Sequence, residues 1–405
     1  MGRRTGIVNK RGFSKAFIVF ITIILLGLLL GSGTFQTQEA QVLVFPDHLI
    51  PGSPVSVIVA IPAPVQSAEN LTSPPDSSPT DNLPTAESPH GGSPNLRSLR
   101  AGELVPLQAI LSNRKNKTIQ SAPFFYVDEV HQADKIYTIV MATLVIPNTY
   151  DETSVNLEIQ REKTVGIGRV ASSPASGTGT ISAAFMTVAL PGRQSLPVDP
   201  RTFTTETISL GQENTDIKTK PDPQKAAESA ELWKLLTTSS SGLYTMGGFA
   251  APVDSNRRTS FFGDRRVYQY TNGSSERSIH GGIDFGVPRG TVVRATAPGL
   301  VLMARFRIVT GNTVVLQHAP GVYSLYYHMD SLSVTEGIQV DSGTELGKSG
   351  STGLSTGPHL HWEFRIQGEF ADPDLMVSLA PLDKERILRK ILEKLNIFST
   401  EPSQN

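Results

Sequence analysis

Four of the chain's eight histidines and one aspartate fall in three short motifs between residues 280 and 361. They read His280-Gly-Gly-Ile-Asp284, Tyr327-His328 and His359-Leu-His361-Trp362. The spacings that matter are H-x-x-x-D and H-x-H. In a strand, residues two apart share a face, so His359 and His361 project together. Gly281 and Gly282 argue against a helix between His280 and Asp284, so this pair reaches its site from a turn entering a strand. On a strand over Tyr323–His328, alternation puts Ser324, Tyr326 and His328 on one face and Tyr323, Leu325 and Tyr327 on the other. Nitrogen and carboxylate donors of this kind suit a zinc ion with one position open to water, and an open zinc site points to hydrolysis. Catalytic zinc needs three protein ligands, so five candidates leave two over. Spare histidines beside the metal can take up or deliver protons. A lone histidine is more often a surface or hydrogen-bonded residue. The isolated His48 and His131 are therefore read as non-functional.

Composition narrows the rest. A chain of 405 residues has room for two folded domains plus extra segments. The net charge is −1, and no basic block beyond the N-terminus suggests a nucleic-acid partner. There is no cysteine, which removes disulfides, thiolate metal sites, a cysteine nucleophile and a lipid-modified N-terminal cysteine. Arg3, Arg4, Lys10, Arg11 and Lys15 precede an apolar run from Ala16 that extends to Phe35, with no acid before Glu39. Such a run, of about 20 residues, is long enough to span a bilayer, and the basic flank keeps the N-terminus in the cytoplasm. Residues 1–35 are thus expected to be a cytoplasmic tail and retained transmembrane anchor. The alternative is a signal peptide cleaved near Gly33.

Beyond the anchor, the expected class is mainly β. Val55, Val57, Val59 and Ile61 recur at every second position, the period of a half-buried strand. Residues 63–97 are rich in Pro, Ser, Thr and Asn and poor in bulky apolar side chains, the composition of a disordered insert. Strand-like runs resume at Leu104–Leu111, Ile136–Ile146, Val155–Ile159, Phe185–Leu190 and Thr205–Leu210. Together they predict a β-sandwich over 41–212. Asp222-Pro223 predicts a helix start, with Ala226, Ala230 and Trp233 on one face and an end near Thr237. A Ser- and Gly-rich linker follows, so 222–248 is expected to join two domains. Residues 249–380 form a second β-rich domain, with strands at Val292–Ala295, Gly299–Ala304, Thr313–Gln317, Tyr323–His328 and His359–Ile366. Ile387, Leu388, Ile391, Leu392 and Leu395 lie at helical spacing, giving an amphipathic helix over 382–398 whose stripe is read as a docking face.

The motif set resembles the lysostaphin or LytM-type zinc endopeptidases, which hydrolyse peptidoglycan. The likeness covers roughly residues 249–375 and extends past the histidines. It includes Ser260-Phe-Phe-Gly263 with Arg265-Arg266, His280 through Pro288, Gly290-Thr-Val-Val-Arg-Ala, Gly311-Asn312-Thr313-Val, Tyr323 through His328 and Gly353 through Glu363. The resemblance implies that His280, Asp284 and His361 bind Zn2+. It implies that His328 and His359 polarise the attacking water and steady the developing oxyanion, without saying which does which. It further implies an open antiparallel sheet of the duplicated-hybrid-motif type, and peptidoglycan stem peptides or cross-links as substrate. The catalytic domain is expected in the cell envelope, outside the cytoplasmic membrane. The N-terminal half looks like the immunoglobulin-like extension of some envelope members, although the Pro-rich insert departs from that pattern. Two other readings compete: an inactive relative that binds and activates cell-wall amidases, and an envelope protein in which zinc only ties the fold together. N-terminal sequencing of the mature protein tests the anchor. An intact N-terminus is expected, and a start near Thr34 or Gln41 would mean a cleaved signal peptide.

Overall fold

The computed structural model describes residues 39–62, 99–132, 135–162, 189–238 and 240–399. The expected anchor at 1–35 and the insert at 63–97 lie outside the described residues. Among the described residues, no helix is long and apolar enough to cross a membrane.

The fold is mainly β. Seven N-terminal strands are β1 (Gln41–Phe45), β2 (Pro54–Pro62), β3 (Leu104–Ser112), β4 (Thr118–Gln132), β5 (Lys135–Val145), β6 (Ser154–Arg161) and β7 (Gln194–Pro197). They form one antiparallel sheet in the order β1-β2-β5-β4-β3-β6-β7. Its two edges meet. Ala40 N donates to Ala189 O at 3.2 Å, Asp199 N donates to Leu49 O at 2.8 Å, and parallel bridges join Glu39 to Ala189 and Leu49 to Val198. The expected immunoglobulin-like sandwich of two sheets is therefore corrected to a single sheet curled on itself. Alternation reports that a strand has a buried face, not whether a second sheet or the same sheet covers it.

The inner face of this sheet packs Val55, Val57 and Val59 of β2 with Leu107, Phe124, Leu144 and Leu157. The outer face is buried too. Ile58 and Ala60 of β2, Phe125 of β4 and Ile139 and Met141 of β5 join a cluster made mostly of residues beyond 249. Polar contacts fix the same seam. Ser56 Oγ donates to Pro381 O at 2.8 Å, Gln120 Nε2 donates to Ile366 O at 2.8 Å, and Arg201 pairs with Asp372 at 2.7 Å.

The connecting segment is more structured than its composition suggests. β8 (Thr205–Ser209) was expected in the N-terminal domain. It lies parallel to β10 (Arg265–Gln269), which pairs with β11 (Ser275–Ile279), in a three-stranded sheet. Helix α1 (Gln212–Thr219), which the sequence reading missed, precedes α2 (Pro223–Thr237). The start of α2 is as predicted: Asp222 accepts hydrogen bonds from Gln224 N and Lys225 N at 2.7 and 3.1 Å, with Pro223 in the first turn. Its packed face differs. Leu232, Leu235 and Leu236 meet Met303, Val315, Tyr323, Leu325 and Tyr327, while Trp233 is 56% exposed. The Ser/Gly stretch that follows is docked rather than free. Tyr244 N donates to His318 O at 2.8 Å, and Leu243 and Met246 pack on the shared cluster.

The C-terminal sheet has ten strands. Its main path is β17 (Gln339–Val340), β14 (Gly299–Arg307), β15 (Gly311–Ala319), β16 (Val322–Leu332), β19 (Leu360–Ile366), β12 (Gly282–Phe285) and β9 (Arg258–Ser260). β13 (Val292–Arg294), β18 (Glu345–Ser349) and β20 (Glu369–Ala371) attach beside it, and all its pairs are antiparallel. Helix α3 (Pro373–Leu379) leads to α4 (Lys384–Ser399), whose Ile387, Ile391 and Leu395 enter the shared cluster. The predicted docking stripe thus finds its partner within the chain.

One histidine belongs to this packing. His318 is fully buried, with Nδ1 2.8 Å from Pro298 O and Nε2 2.7 Å from Ser324 Oγ. Burial pushes it down to about 4 from its ordinary 6.5. Between these values the unfolded chain binds a proton that the native state refuses, so stability rises with pH there. As pH falls from 6.5 to 4, this group should cost on the order of 3 kcal/mol of unfolding free energy. His318→Gln should flatten the profile. An NMR titration of His318 with a midpoint near 6.5 would contradict this.

Candidate metal centre

Strand register assembles the site. β12 runs antiparallel to β19 with Asp284 opposite His361, so the two side chains leave one face of the sheet side by side. On the other flank of β19, β16 sets Tyr327 opposite His361, and the two rings stack at 5.2 Å between centroids. His280 enters from the turn before β12. At the start of β12, a Cβ on Gly282 would sit 2.2 Å from Trp362 O and 3.0 Å from His361 Nε2, so glycine lets β12 approach β19 this closely.

Three donor atoms converge. His280 Nε2 lies 3.1 Å from Asp284 Oδ1 and 2.9 Å from His361 Nδ1, and His361 Nδ1 lies 2.8 Å from Asp284 Oδ1. A tetrahedral ion with ligands at about 2.0–2.1 Å separates its donors by about 3.3 Å, so the triangle fits a zinc-sized ion with little movement. His280, Asp284 and His361 are buried and form a group that could hold a metal ion.

Each ligand candidate has its other polar atom fixed. His280 Nδ1 is 2.8 Å from Phe261 O, which accepts its proton and leaves Nε2 as the donor to a metal. Arg266 Nη2 donates to Asp284 Oδ2 at 2.6 Å, leaving Oδ1 facing the two imidazoles. His361 Nε2 is 3.2 Å from Glu363 Oε2, and Glu363 is paired in turn with Arg365. Partners of this kind orient metal-binding imidazoles and carboxylates.

The charges follow. Burial alone would raise the Asp284 carboxyl, but His280 and His361 beside it hold it well below the usual carboxylate range. Burial disfavours a charged His361, yet its bonds to Asp284 and Glu363 push it up to about 9. Burial outweighs Asp284 at His280, which is lowered. Metal ligands must be deprotonated, so a metal ion here competes with a proton favoured at His361.

The two remaining histidines stand beside this group. The His328 and His359 rings are 4.8 Å apart, and His359 Nε2 is 3.8 Å from Asp284 Oδ1. Strict alternation would turn His328 away from the face that carries Tyr327 and His361. The structure corrects this. Between Tyr326 and Met329, β16 carries one residue more than β15, and His328 adopts φ 60. This bulge turns the ring back, leaving it 6.3 Å from His361. Left-handed backbone at a bulky residue is strained and persists where its surroundings impose it. Here His328 N donates to Thr310 O at 2.8 Å, and Nδ1 lies 2.8 Å from Thr352 O. Burial, then the neighbouring imidazoles His359 and His361, push His328 down to about 3. His359 Nδ1 is 2.8 Å from Gly357 O in the Gly-rich turn before β19. Helix α1 bonds to the β10–β11 turn, where Thr271 Oγ1 donates to Gln212 Oε1 at 2.9 Å, and to the Gly-rich turn before β19, where Asn214 Nδ2 donates to Ser355 O at 2.8 Å.

Residues 278–373 match the family described as Peptidase family M23. The chain carries a peptidase M23 domain. The segment is 46% identical over 95 residues to the DD-carboxypeptidase/endopeptidase Mpg of Neisseria meningitidis, covering 24% of this chain and 22% of that protein. It is 40% identical over 118 residues to the peptidoglycan DD-endopeptidase ShyA of Vibrio cholerae, covering 29% of this chain and 27% of that protein. The chain thus spans about a quarter of the length of these curated relatives. The catalytic domain of the prophage-encoded M23 protein EnpA from Enterococcus faecalis, in a mutant form, is similar at 32% identity. That match covers 31% of this chain and 95% of that chain, with a TM-score of 0.27.

All five histidine and aspartate candidates of the M23 domain come together, whereas His48 lies on the surface, 3.9 Å from Asp199. Sequence reasoning missed the roles of Glu363 and Arg266. Glu363 carried a signal, since two residues beyond His361 it shares that strand face. Arg266 carried none beyond its motif, because its contact joins separate strands. Glu363→Gln should keep the fold and weaken metal binding about 10- to 100-fold, measured by competition with a chromophoric chelator. Unchanged affinity would remove Glu363 from the centre.

Proposed function

We propose that the chain is a zinc-dependent endopeptidase that hydrolyses peptide bonds in peptidoglycan stem peptides or cross-links, in the cell envelope. The observation that carries this reading is the convergence of His280 Nε2, Asp284 Oδ1 and His361 Nδ1, with two further imidazoles at its edge. Two nitrogens and one oxygen suit zinc and leave a coordination position open. The substrate class is supported by the relatives named as peptidoglycan DD-endopeptidases.

Zinc, when bound, supplies a Lewis acid that polarises a carbonyl and lowers the pKa of water to about 7. The protein does the rest. Thr352 O and Gly357 O accept the Nδ1 protons of His328 and His359, which leaves each Nε2 with a free lone pair. An imidazole so oriented takes a proton from the attacking water and passes it to the leaving amine. Once protonated, it donates a hydrogen bond to the developing oxyanion. Burial keeps His328 neutral beforehand.

An inactive amidase activator or a structural zinc protein has no need of two spare histidines whose free nitrogens are set by backbone carbonyls. Mass spectrometry of peptidoglycan digested by the full chain tests the proposal. Zinc-loaded protein should release peptide-cleaved fragments, and strong chelators should stop it until zinc is returned. His328→Ala and His359→Ala should keep zinc and lose turnover by a factor on the order of 100 or more. Asp284→Ala should lose both. Full zinc occupancy in Asp284→Ala, or no peptide cleavage by the zinc-loaded chain, would overturn it.

A further inference from the structure

Arg266 reaches the metal centre from β10, and something must hold Arg266. Its Nη2 donates to Asp284 Oδ2 at 2.6 Å, while its Nε donates to Glu206 Oε1 at 2.7 Å. Glu206 lies in β8, directly opposite Arg266 in the parallel register, so the two side chains share a face. The same oxygen accepts from Ser260 Oγ at 3.0 Å, and Ser260 is the β9 residue opposite Asp284. A carboxylate, a guanidinium and a second carboxylate thus run in line toward the donor triangle. Side-chain exposure falls along the line, from 30% at Glu206 to 14% at Arg266 and 9% at Asp284.

We infer that Glu206 is a positioning residue of the metal centre, acting through Arg266 on Asp284. The unit that binds the metal then begins in the inter-domain strand β8, well before residue 278 where the M23 match starts. Two effects share one sign. Guanidinium donors form a rigid plane, so anchoring Nε at Glu206 fixes the direction in which Nη2 holds the Asp284 carboxylate. Without that anchor Arg266 swings and Asp284 Oδ1 loses its aim. Glu206 also offsets the positive charge that Arg266 brings near a dication. Removing it leaves that charge uncompensated beside the ion, in surroundings where screening is weak. Both effects lower metal affinity.

This inference rests on the metal reading, and the experiment separates the two. Zinc affinity is measured on the full chain by chelator competition, with the visible spectrum of the cobalt-substituted protein as a second readout of ligand geometry. If the wild-type chain binds neither ion, the metal reading fails. If it binds, Glu206→Gln should weaken zinc binding at least about tenfold and shift the cobalt bands, with the circular dichroism of the metal-free protein unchanged. Ser260→Ala removes the other partner of Glu206 and should leave affinity within about twofold. In an Arg266→Gln background, which removes both the guanidinium plane and its charge, Glu206→Gln should add no further loss, because its route to Asp284 is already broken. Glu206→Ala, which admits water to Arg266, takes over should Glu206→Gln not fold. A folded Glu206 variant with wild-type zinc affinity and cobalt spectrum would overturn the inference, as would an additive loss in the Arg266→Gln background.

Discussion

The hydrogen-bonded triangle of His280, Asp284 and His361 is the arrangement on which the rest of the site depends. Burying a carboxylate costs several kcal/mol unless it is paired. Asp284 is paired on both oxygens, with the imidazoles on Oδ1 and Arg266 on Oδ2. This holds three metal-competent atoms about as far apart as an ion requires, before any ion arrives. The cost of gathering them is met in folding: register across β12 and β19 sets Asp284 against His361, and His280 is held in the turn before β12 by Phe261 O. A site built on paired strands is preorganised, and a bound ion has little left to rearrange.

The rest of the chain bears on that register. The outer face of the curled N-terminal sheet, helix α4 and the M23 sheet share one hydrophobic cluster, so the two β units support each other. The inter-domain segment adds β8 to β10 and bonds α1 to the turns that carry Thr271 and Ser355. Segments outside the M23 match thus bond to the surroundings of the centre, α1 at the turn that carries Ser355 and β8 at Arg266.

Much of this was legible in the sequence because short-range spacing carries it. H-x-H on a strand gives one face, and a glycine pair after His280 gives a turn into a strand. Asp222-Pro223 gives the start of α2. What failed depends on long-range partners. Alternation in β2 showed one buried face, yet Ile58 and Ala60 on the other are buried too, because a second domain covers them. The same blindness turned a single curled sheet into an expected sandwich and grouped Thr205–Ser209 with the N-terminal strands, whereas it pairs with β10. His328 stands beside the other candidates, but on a face the spacing did not show: one extra residue in β16 reverses the face that strict alternation assigns. Departures from regular pattern of this kind are expected at functional sites.

The most direct test of the central claim is X-ray absorption at the zinc edge on the full chain. The account predicts one zinc with two imidazoles at about 2.0–2.1 Å and two oxygens at about 2.0–2.2 Å, one from Asp284 and one from water. Asp284→Ala should abolish that spectrum. A shell of three or four imidazoles would make His328 or His359 a ligand and contradict the account, as would a chain that holds no zinc.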